Sequence, residues 1–489
     1  MVHATSLKRF SAVSLAAALL SAAPGARAQD TDLTRSNQDE LASFYGRMNV
    51  VVGSGARAFG MGGAFLARAD DATAASWNPA GLSYLRRTEF SLVGAHNDFS
   101  QRIPRANEAI TPTRLVTTLD QLQGSVADFA GFAYPLRLKG RTGAVQVSYQ
   151  RSFSFAGKRS SQATVGQPGF LPNGKLLLDE GFAVVGRGGF DSLSVSSGFE
   201  VHQGVRLGLS VNRWINGFSQ TVTRPDREIY SSWKISGTNV NFGALFTPVP
   251  KLNLGAVWKT PFGADVRLFK LRTDTFQDPE DPLTGVKPPA RKESIWESGD
   301  VRIRFPRVYG VGASFRATNT LTVSADFTRT AWSKATITDF FSLATVGASV
   351  QVDHYGTLPF PAVEAANGQA ETTQVRVGAE WVLRLGQSGE TLVPLRAGFF
   401  RDGQPVTIRV ANPSGDPAAE AVTRRPTFTG LTAGVGITVG GVLFDLAYIR
   451  ETGEVPTSVT YGGVSHYDST RVRYNRVFAS MIVRLGQRH

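Results

Sequence analysis

Three arginines stand where a charged group has to face an enclosed space. Arg206, Arg376 and Arg396 are flanked by Val205 and Leu207, Val375 and Val377, and Leu395 and Ala397. A guanidinium in that setting either pairs with a carboxylate of its own chain or attracts one from a ligand, because it stays charged and presents several donors. Asp326, Glu380 and Asp445 alternate with apolar residues in the same manner and are the expected partners. Direct contact with a ligand headgroup is the second role open to the three arginines.

Other chemistry is poorly provided for. The chain has no cysteine and six histidines, and no HExxH arrangement, so neither a thiolate nor a metal site is expected. GxSxG is absent and no nucleophile and base stand out as a pair, which leaves an outer membrane lipase or protease without support; no enzymatic activity and no cofactor are predicted. The run GSGARAFGMGG at 53–63 lacks the Gly-Lys-Ser/Thr of a phosphate loop and no βαβ frame follows it. Gly60, Gly62 and Gly63 read instead as places where backbone passes close to other backbone. Basic residues outnumber acidic ones, for a net charge of +13, but they are scattered rather than gathered in a stripe, so nucleic-acid binding is not expected.

The elements that would hold these residues are strands. Val145, Val147 and Tyr149 oppose Gln146, Ser148 and Gln150, and Val205, Leu207, Leu209 and Val211 oppose Arg206, Gly208, Ser210 and Asn212. Leu321, Val323, Ala325 and Phe327 likewise oppose Thr322, Ser324, Asp326 and Thr328. Segments 252–259, 375–381, 442–448 and 474–485 repeat this two-residue alternation. Weaker versions at 88–99, 126–138, 192–201, 236–247, 308–317, 391–400 and 428–439 bring the expected total to about fourteen strands. A tilted strand of about nine to eleven residues crosses a bilayer's hydrocarbon layer. Tyr149, Trp258, Phe327, Trp381 and Tyr448 end such segments where an interfacial aromatic girdle belongs.

The polar face of each strand then requires a lumen, and the sheet has to close because hydrocarbon cannot satisfy a free edge. A large soluble β-sandwich or β-helix also alternates, but with a polar face turned to bulk water. The mean hydropathy of −0.10 suits a barrel that is apolar outside and polar inside. Longer polar stretches at about 101–121, 155–188, 217–231, 262–300, 332–370, 402–426 and 451–471 are expected to be loops at one end. At the N-terminus Lys8 and Arg9, the apolar run from Phe10 to Ala23, and Ala26-Arg27-Ala28 form the zones of an export signal cut after Ala28. No run of 18 apolar residues follows, so no helical span is expected.

One stretch goes further. GARAFGMGGAFLARADDATAASWNPAGLSYL at 55–85 resembles the N-terminal signature of the long-chain fatty acid transporter family of outer membrane proteins, which also includes aromatic-hydrocarbon uptake channels. LNLGAVWKTPF (252–262), FPRVYGVGASFRATNTLTVSADFTRTAWS (305–333), VPLRAGFF (393–400) and LTAGVGITVGGVLFDLAY (431–448) resemble later parts of that family in the same order.

The resemblance implies an all-β transmembrane antiparallel barrel of about fourteen strands with an N-terminal hatch in the lumen. The corresponding divisions are a signal peptide at 1–28, leader and hatch at 29–85, and barrel at 86–489. It further implies passive uptake of hydrophobic small molecules, such as long-chain fatty acids or related lipids and hydrocarbons, by a monomer. The surroundings would be outer membrane lipid and lipopolysaccharide, and insertion would use the barrel assembly machinery. Gly60, Gly62, Gly63, Asn78, Pro79 and Gly81 are the hatch or gating candidates, and Arg206, Arg376 and Arg396 the substrate-binding candidates. Asn78 and Pro79 have a structural role first, one holding a local turn and the other restraining it. A secretion-associated or structural barrel with the same N-terminal signature is the alternative. Two departures from the family's pattern are the non-aromatic chain end, with Phe478 short of it, and the long polar leader at 29–52.

Overall fold

A computed structural model of the chain describes residues 53–102, 115–117, 120–161, 163–167, 176–179, 182–224, 226–276, 284–346, 349–354, 356–359, 371–385, 391–405, 408–410, 422–424, 426–461 and 464–486. The expected export signal and the polar leader up to residue 52 lie outside them. So do the last three residues, 487–489.

The wall consists of fourteen strands. They are β1 (Thr88–Arg102), β2 (Asp120–Leu138), β3 (Arg141–Ser154), β4 (Phe182–His202), β5 (Val205–Ile215), β6 (Arg227–Val249) and β7 (Leu252–Lys259). They continue as β8 (Val308–Arg316), β9 (Leu321–Thr330), β10 (Thr372–Leu385), β11 (Thr391–Gly403), β12 (Thr427–Val439), β13 (Val442–Tyr461) and β14 (Val464–Leu485). Each pairs antiparallel with the next, and β14 returns to β1 with Thr88 opposite Leu485. Closure leaves no edge, which is the condition for a sheet in hydrocarbon. At the end that carries both termini of the barrel the connections are tight. The β2–β3 turn places Lys139 and Gly140 at φ 52 and 78, the mirror-image turn that fits the twist of a hairpin.

The alternation read from the sequence decides what each side chain faces. Val145, Val147, Leu207, Leu209, Phe327 and Tyr448 point outward, whereas Gln146, Ser148, Ser210, Asn212, Asp326 and Asp445 are buried in the lumen. At the other end this pattern inverts. On β6 the outward residues change from Phe246 and Phe242 to Thr238, Ser236 and Lys234, while the inward ones change from Asn241 and Asn239 to Ile235 and Trp233. The paired parts of strands Phe262–Phe276 and Arg291–Phe305 nearest the bilayer hold the inverted pattern, with Ala264, Val266, Leu268, Val301 and Ile303 inside and Asp265, Arg267, Asp300 and Arg302 outside. A face that turns from apolar to charged has left lipid for water, so the wall rises well beyond the bilayer.

Several stretches expected to be loops are therefore sheet. Gly157–Ser161 and Gly217–Thr223 prolong the wall after bends, Phe262–Phe276 and Arg291–Phe305 pair along their whole length, and β13 and β14 stay paired from Val442 to the Tyr461–Val464 hairpin. Their polarity misled because the outer face of an extension in water is polar. Strands of 20 to 23 residues result, about twice what a membrane crossing needs.

Residues 53–85 run inside the closed wall as α1 (Ala56–Gly60), α2 (Ala74–Trp77) and a 3-10 turn at Pro79–Tyr84, with Ala58, Phe65, Asn78 and Leu82 fully buried. Wall glycines make the room. Gly198, Gly208 and Gly243 are direct neighbours on β4, β5 and β6, and a Cβ on any of them would collide with the Asn78–Ala80 backbone or side chains. Gly378 and Gly398, paired on β10 and β11, receive Met61 and Gly62 in the same way. A Gly208→Val or Gly378→Val variant is expected to keep its β content but to displace the inner segment. Limited trypsin digestion should then cut at Arg57 and Arg68 at least ten times faster than in the wild type, and equal rates would sink this account.

Candidate functional site

The inner segment is held by its own turns and by side chains reaching in from the wall. Gly62 and Gly63 have φ 67 and 75, a left-handed pair that reverses the chain after α1 and that side chains with a Cβ rarely adopt. Thr432 accepts from Gly62 N and donates to Gly60 O, both at 2.9 Å. Asp326 on β9 accepts from Phe65 N at 2.6 Å and from Leu66 N at 2.8 Å. Asn78 accepts from Ala80 N to cap the 3-10 turn. Its Nδ2 donates to Leu66 O at 2.9 Å and to the wall carbonyl of Ala244 at 3.1 Å. Pro79 opens that turn, where its missing N–H costs nothing. Gly81 lies so close to Ala69 that a side chain would collide with its carbonyl.

Around this scaffold runs a buried ion network. Arg57 binds Asp70 at 2.6 Å, Asp71 at 3.2 Å and Glu380 at 3.1 Å. Glu380 also accepts from Arg68 at 2.7 Å and from Arg396 at 2.8 Å, and Arg396 reaches Asp445 at 2.6 Å. The network joins the inner segment to β10, β11 and β13. Burial works against ionising Arg57 and Asp70, but the opposite charges outweigh it. Asp70, Glu380 and Asp71 hold the Arg57 guanidinium well above its ordinary pKa, and Arg57 and Arg68 hold the Asp70 carboxyl below its own.

Above the network the lumen changes character. Phe153, Trp214, Phe262, Phe305 and Trp332 surround a cavity of about 90 Å³, with Ser192, Asn212, Asn239, Asn241, Thr330 and Lys259 among the rest of its lining. The rings form a stack, with Phe262 and Phe305 at 4.9 Å and 9° and Trp214 and Phe305 at 5.2 Å and 26°. Trp214 is fixed by a 2.8 Å bond from its Nε1 to Asn239 Oδ1, and Asn239 donates in turn to Asn241 at 3.0 Å. Asn241 is one inward position above Gly243, the glycine against Asn78. The cavity thus stands directly over the inner segment. The same rings continue upward into a buried cluster that includes Phe155, Phe190, Phe218, Trp233 and Phe340.

The expected site residues fall in one half of this arrangement. Gly60, Gly62, Gly63, Asn78, Pro79 and Gly81 all belong to the inner segment, at its closest approaches to the wall or to itself. Arg396 sits in the ion network and Arg376 pairs with Asp402 at 3.0 Å. Arg206 lies near the tight turns, bound to Glu200 at 3.2 Å and stacked 4.3 Å from the centre of the Tyr84 ring. None of the three arginines lines the aromatic cavity. Sequence reasoning missed the cavity's rings, because they flank or follow bends where polar outward neighbours suggested loops. The signal was available in the inverted alternation, for instance Ala264, Val266 and Leu268 against Asp265 and Arg267.

No family model matches the sequence, and no curated protein matches it. Solved structures do share the architecture. A FadL homologue from Pseudomonas aeruginosa superposes with a TM-score of 0.56 at 15% identity, over 89% of this chain and 99% of that one. The toluene transporter TbuX from Ralstonia pickettii gives 0.53 at 16% identity over 89% and 99%. The CymD monoaromatic hydrocarbon channel gives 0.52 at 14% over 90% and 99%. The chain is a fourteen-stranded antiparallel β-barrel of the FadL type. Its fold is the one shared by the FadL homologue, TbuX and CymD.

Glu380→Gln leaves three arginines around a neutral amide, and breaking a buried pair of this kind costs about 3–5 kcal/mol. Hydrogen exchange should therefore quicken at 56–82 while β12 to β14 keep their protection; unchanged exchange at 56–82 would refute the role given to Glu380. Asp70, with its pKa depressed, contributes full stabilisation above its ordinary value and loses it as pH falls through its lowered one. Exchange of the same segment should accelerate in strong acid, and Asp70→Asn should abolish that acid dependence at this site.

Proposed function

We propose that the protein admits hydrophobic small molecules passively across a bacterial outer membrane. Long-chain fatty acids, related lipids or hydrocarbons are the candidate substrates, and a single barrel is the working unit. The observation that carries this reading is the stack of aromatic rings around a cavity immediately above a filled lumen. Such a place binds apolar surface through burial, while the amides and hydroxyls of Asn241, Ser192 and Thr330 offer a few fixed polar contacts. The likeness to barrels described as toluene or monoaromatic hydrocarbon carriers supports the same reading.

The inner segment then acts as the hatch. Gly60, Gly62, Gly63, Asn78, Pro79 and Gly81 are the positions whose contacts have to change for a substrate to descend from the cavity. Arg396 serves to seat that hatch through Glu380, Arg206 through the Tyr84 ring and Arg376 through Gly62 O, and substrate contact passes to Trp214, Phe305 and Trp332. An amphiphile's acidic headgroup would meet Lys259 at the cavity rather than these arginines.

Reconstituted vesicles offer the test. Labelled oleate and labelled toluene should each be measured for uptake with and without the protein, and at least one should enter in a saturable manner. Trp332→Ala with Phe305→Ala should weaken half-saturation about tenfold, equivalent to ~1.4 kcal/mol. A folded barrel that accelerates neither molecule would shift the assignment to a secretion-associated or structural barrel.

A further inference from the structure

The outward face of β11 to β14 carries a line of groups that the lumen's chemistry does not use. Arg401 on β11 stands opposite Thr429 on β12, Thr429 opposite Thr452 on β13, and Thr452 opposite Arg473 on β14. Arg450 lies two residues before Thr452 on the same face of β13. All three arginines are exposed, and among the described residues none of them makes an ion pair or hydrogen bond to protein. Asp98 borders the line on β1, and Glu454 faces Arg471 above it, so the patch keeps a positive balance.

Its height on the wall is fixed by its neighbours. Directly below, towards the tight turns, the same face presents Phe399, Leu431, Tyr448 and Val477, of which Leu431 is 66% exposed. The change from this apolar band to arginine marks the rim of the bilayer at the loop end. Strands about 4.8 Å apart place Arg401 and Arg473 roughly 14 Å from one another. Arg450 and Arg473 are diagonal neighbours, about 7–8 Å apart at the backbone. Guanidinium groups so spaced, with the Thr429 and Thr452 hydroxyls between them, suit anionic oxygens presented at more than one point.

We propose that this patch binds a bisphosphorylated glycolipid headgroup in the loop-end leaflet. One phosphate would lie between Arg450 and Arg473 and a second at Arg401, with the acyl chains laid along Leu431 and Phe399. A phosphate between two arginines gains charge-assisted hydrogen bonds at the membrane surface, where a lone exposed arginine pair gains little. The assignment rests on the orientation of the barrel in the outer membrane, not on what passes through it.

The experiment uses the full-length barrel in detergent micelles, with bisphosphoryl lipid A, its dephosphorylated form and inorganic phosphate as separate probes. Lipid retention is read by native mass spectrometry and stabilisation by the melting temperature. Bisphosphoryl lipid A should bind and raise Tm, and Arg401→Gln, Arg450→Gln and Arg473→Gln combined should weaken binding at least tenfold. Arg450→Gln alone should show an intermediate loss. A control with Arg137→Gln, Arg141→Gln and Arg384→Gln, which removes equal charge near the tight turns, should bind as the wild type does. Equal binding of dephosphorylated lipid, an equal Tm rise with inorganic phosphate, or undiminished binding by the three-residue variant would each overturn the proposal.

Discussion

Everything in this molecule depends on a backbone that satisfies its own hydrogen bonds where no water can. The ladder from β1 through β14 and back to β1 meets that demand without an edge. Once the ladder is closed, a side chain's direction is settled by whether its residue number is odd or even within a strand. Lipid then selects one set and the lumen the other. Arg396 and Leu395 are adjacent in sequence, yet one is buried among carboxylates and the other faces outward. The charges that a bilayer would reject become usable because closure gives them an interior.

That interior is filled in two different ways. Near the tight turns the inner segment meets the wall through close glycines, backbone amides and ion pairs, which are intolerant of small shifts, as well as through apolar packing. Buried ion pairs are a weak source of net stability, because desolvation offsets much of their attraction. Their value here is in register. Glu380 receives Arg57 and Arg68 from the inner segment and Arg396 from the wall, so the segment has one seat and not several. Toward the loops the contacts are apolar and aromatic, which tolerate sliding. The inner segment has apolar contacts too: Phe59 stacked on Phe478 at 4.2 Å shows how an aromatic in the final strand is committed to that segment instead of to the outer face.

How much of this was legible in the sequence follows from which forces act locally. Alternation at 205–212 or 321–328 is a direct record of two solvents on two sides of one strand, and it placed the wall correctly. The GARAFGMGG and NPAG units were also readable, since only close packing explains so many small residues together. The ion pairs were half legible. Arg396 with Glu380 and Asp445 followed from their shared inward parity, but Arg57, Arg68 and Asp70 gave no such cue because their segment has no period. The inverted alternation could have shown an apolar interior there, but not the aromatic cavity itself, since Phe153, Trp214, Phe305 and Trp332 come from four separate places in the chain and meet only after closure. Asp265, Arg267 and Asp300 made their neighbourhoods look like loops, when they mark a sheet that had passed from lipid into water.

The division between a directional lower half and a sliding upper half bears on how such a barrel can open. An inner segment tied by Asp326 to two amides, by Thr432 to Gly60 and Gly62, and by Asn78 to Leu66 and Ala244 cannot leave the lumen as a body without stranding several buried polar groups at once. Each stranded group costs about 1–3 kcal/mol, so their sum exceeds what binding one small apolar molecule could return. Under the proposed function, passage therefore has to proceed by a local change. The natural place is beside Asn78, where the cavity is separated from the inner segment by a single inward position on β6 and where Gly198, Gly208 and Gly243 supply wall without side chains. On that side the wall presents the serine and asparagine row of Ser196, Ser210 and Asn241, with Lys259 opposite Asn241 at the cavity. The ion network, from Glu380 to Asp445, can stay in place and hold the inner segment while the side beside Asn78 yields.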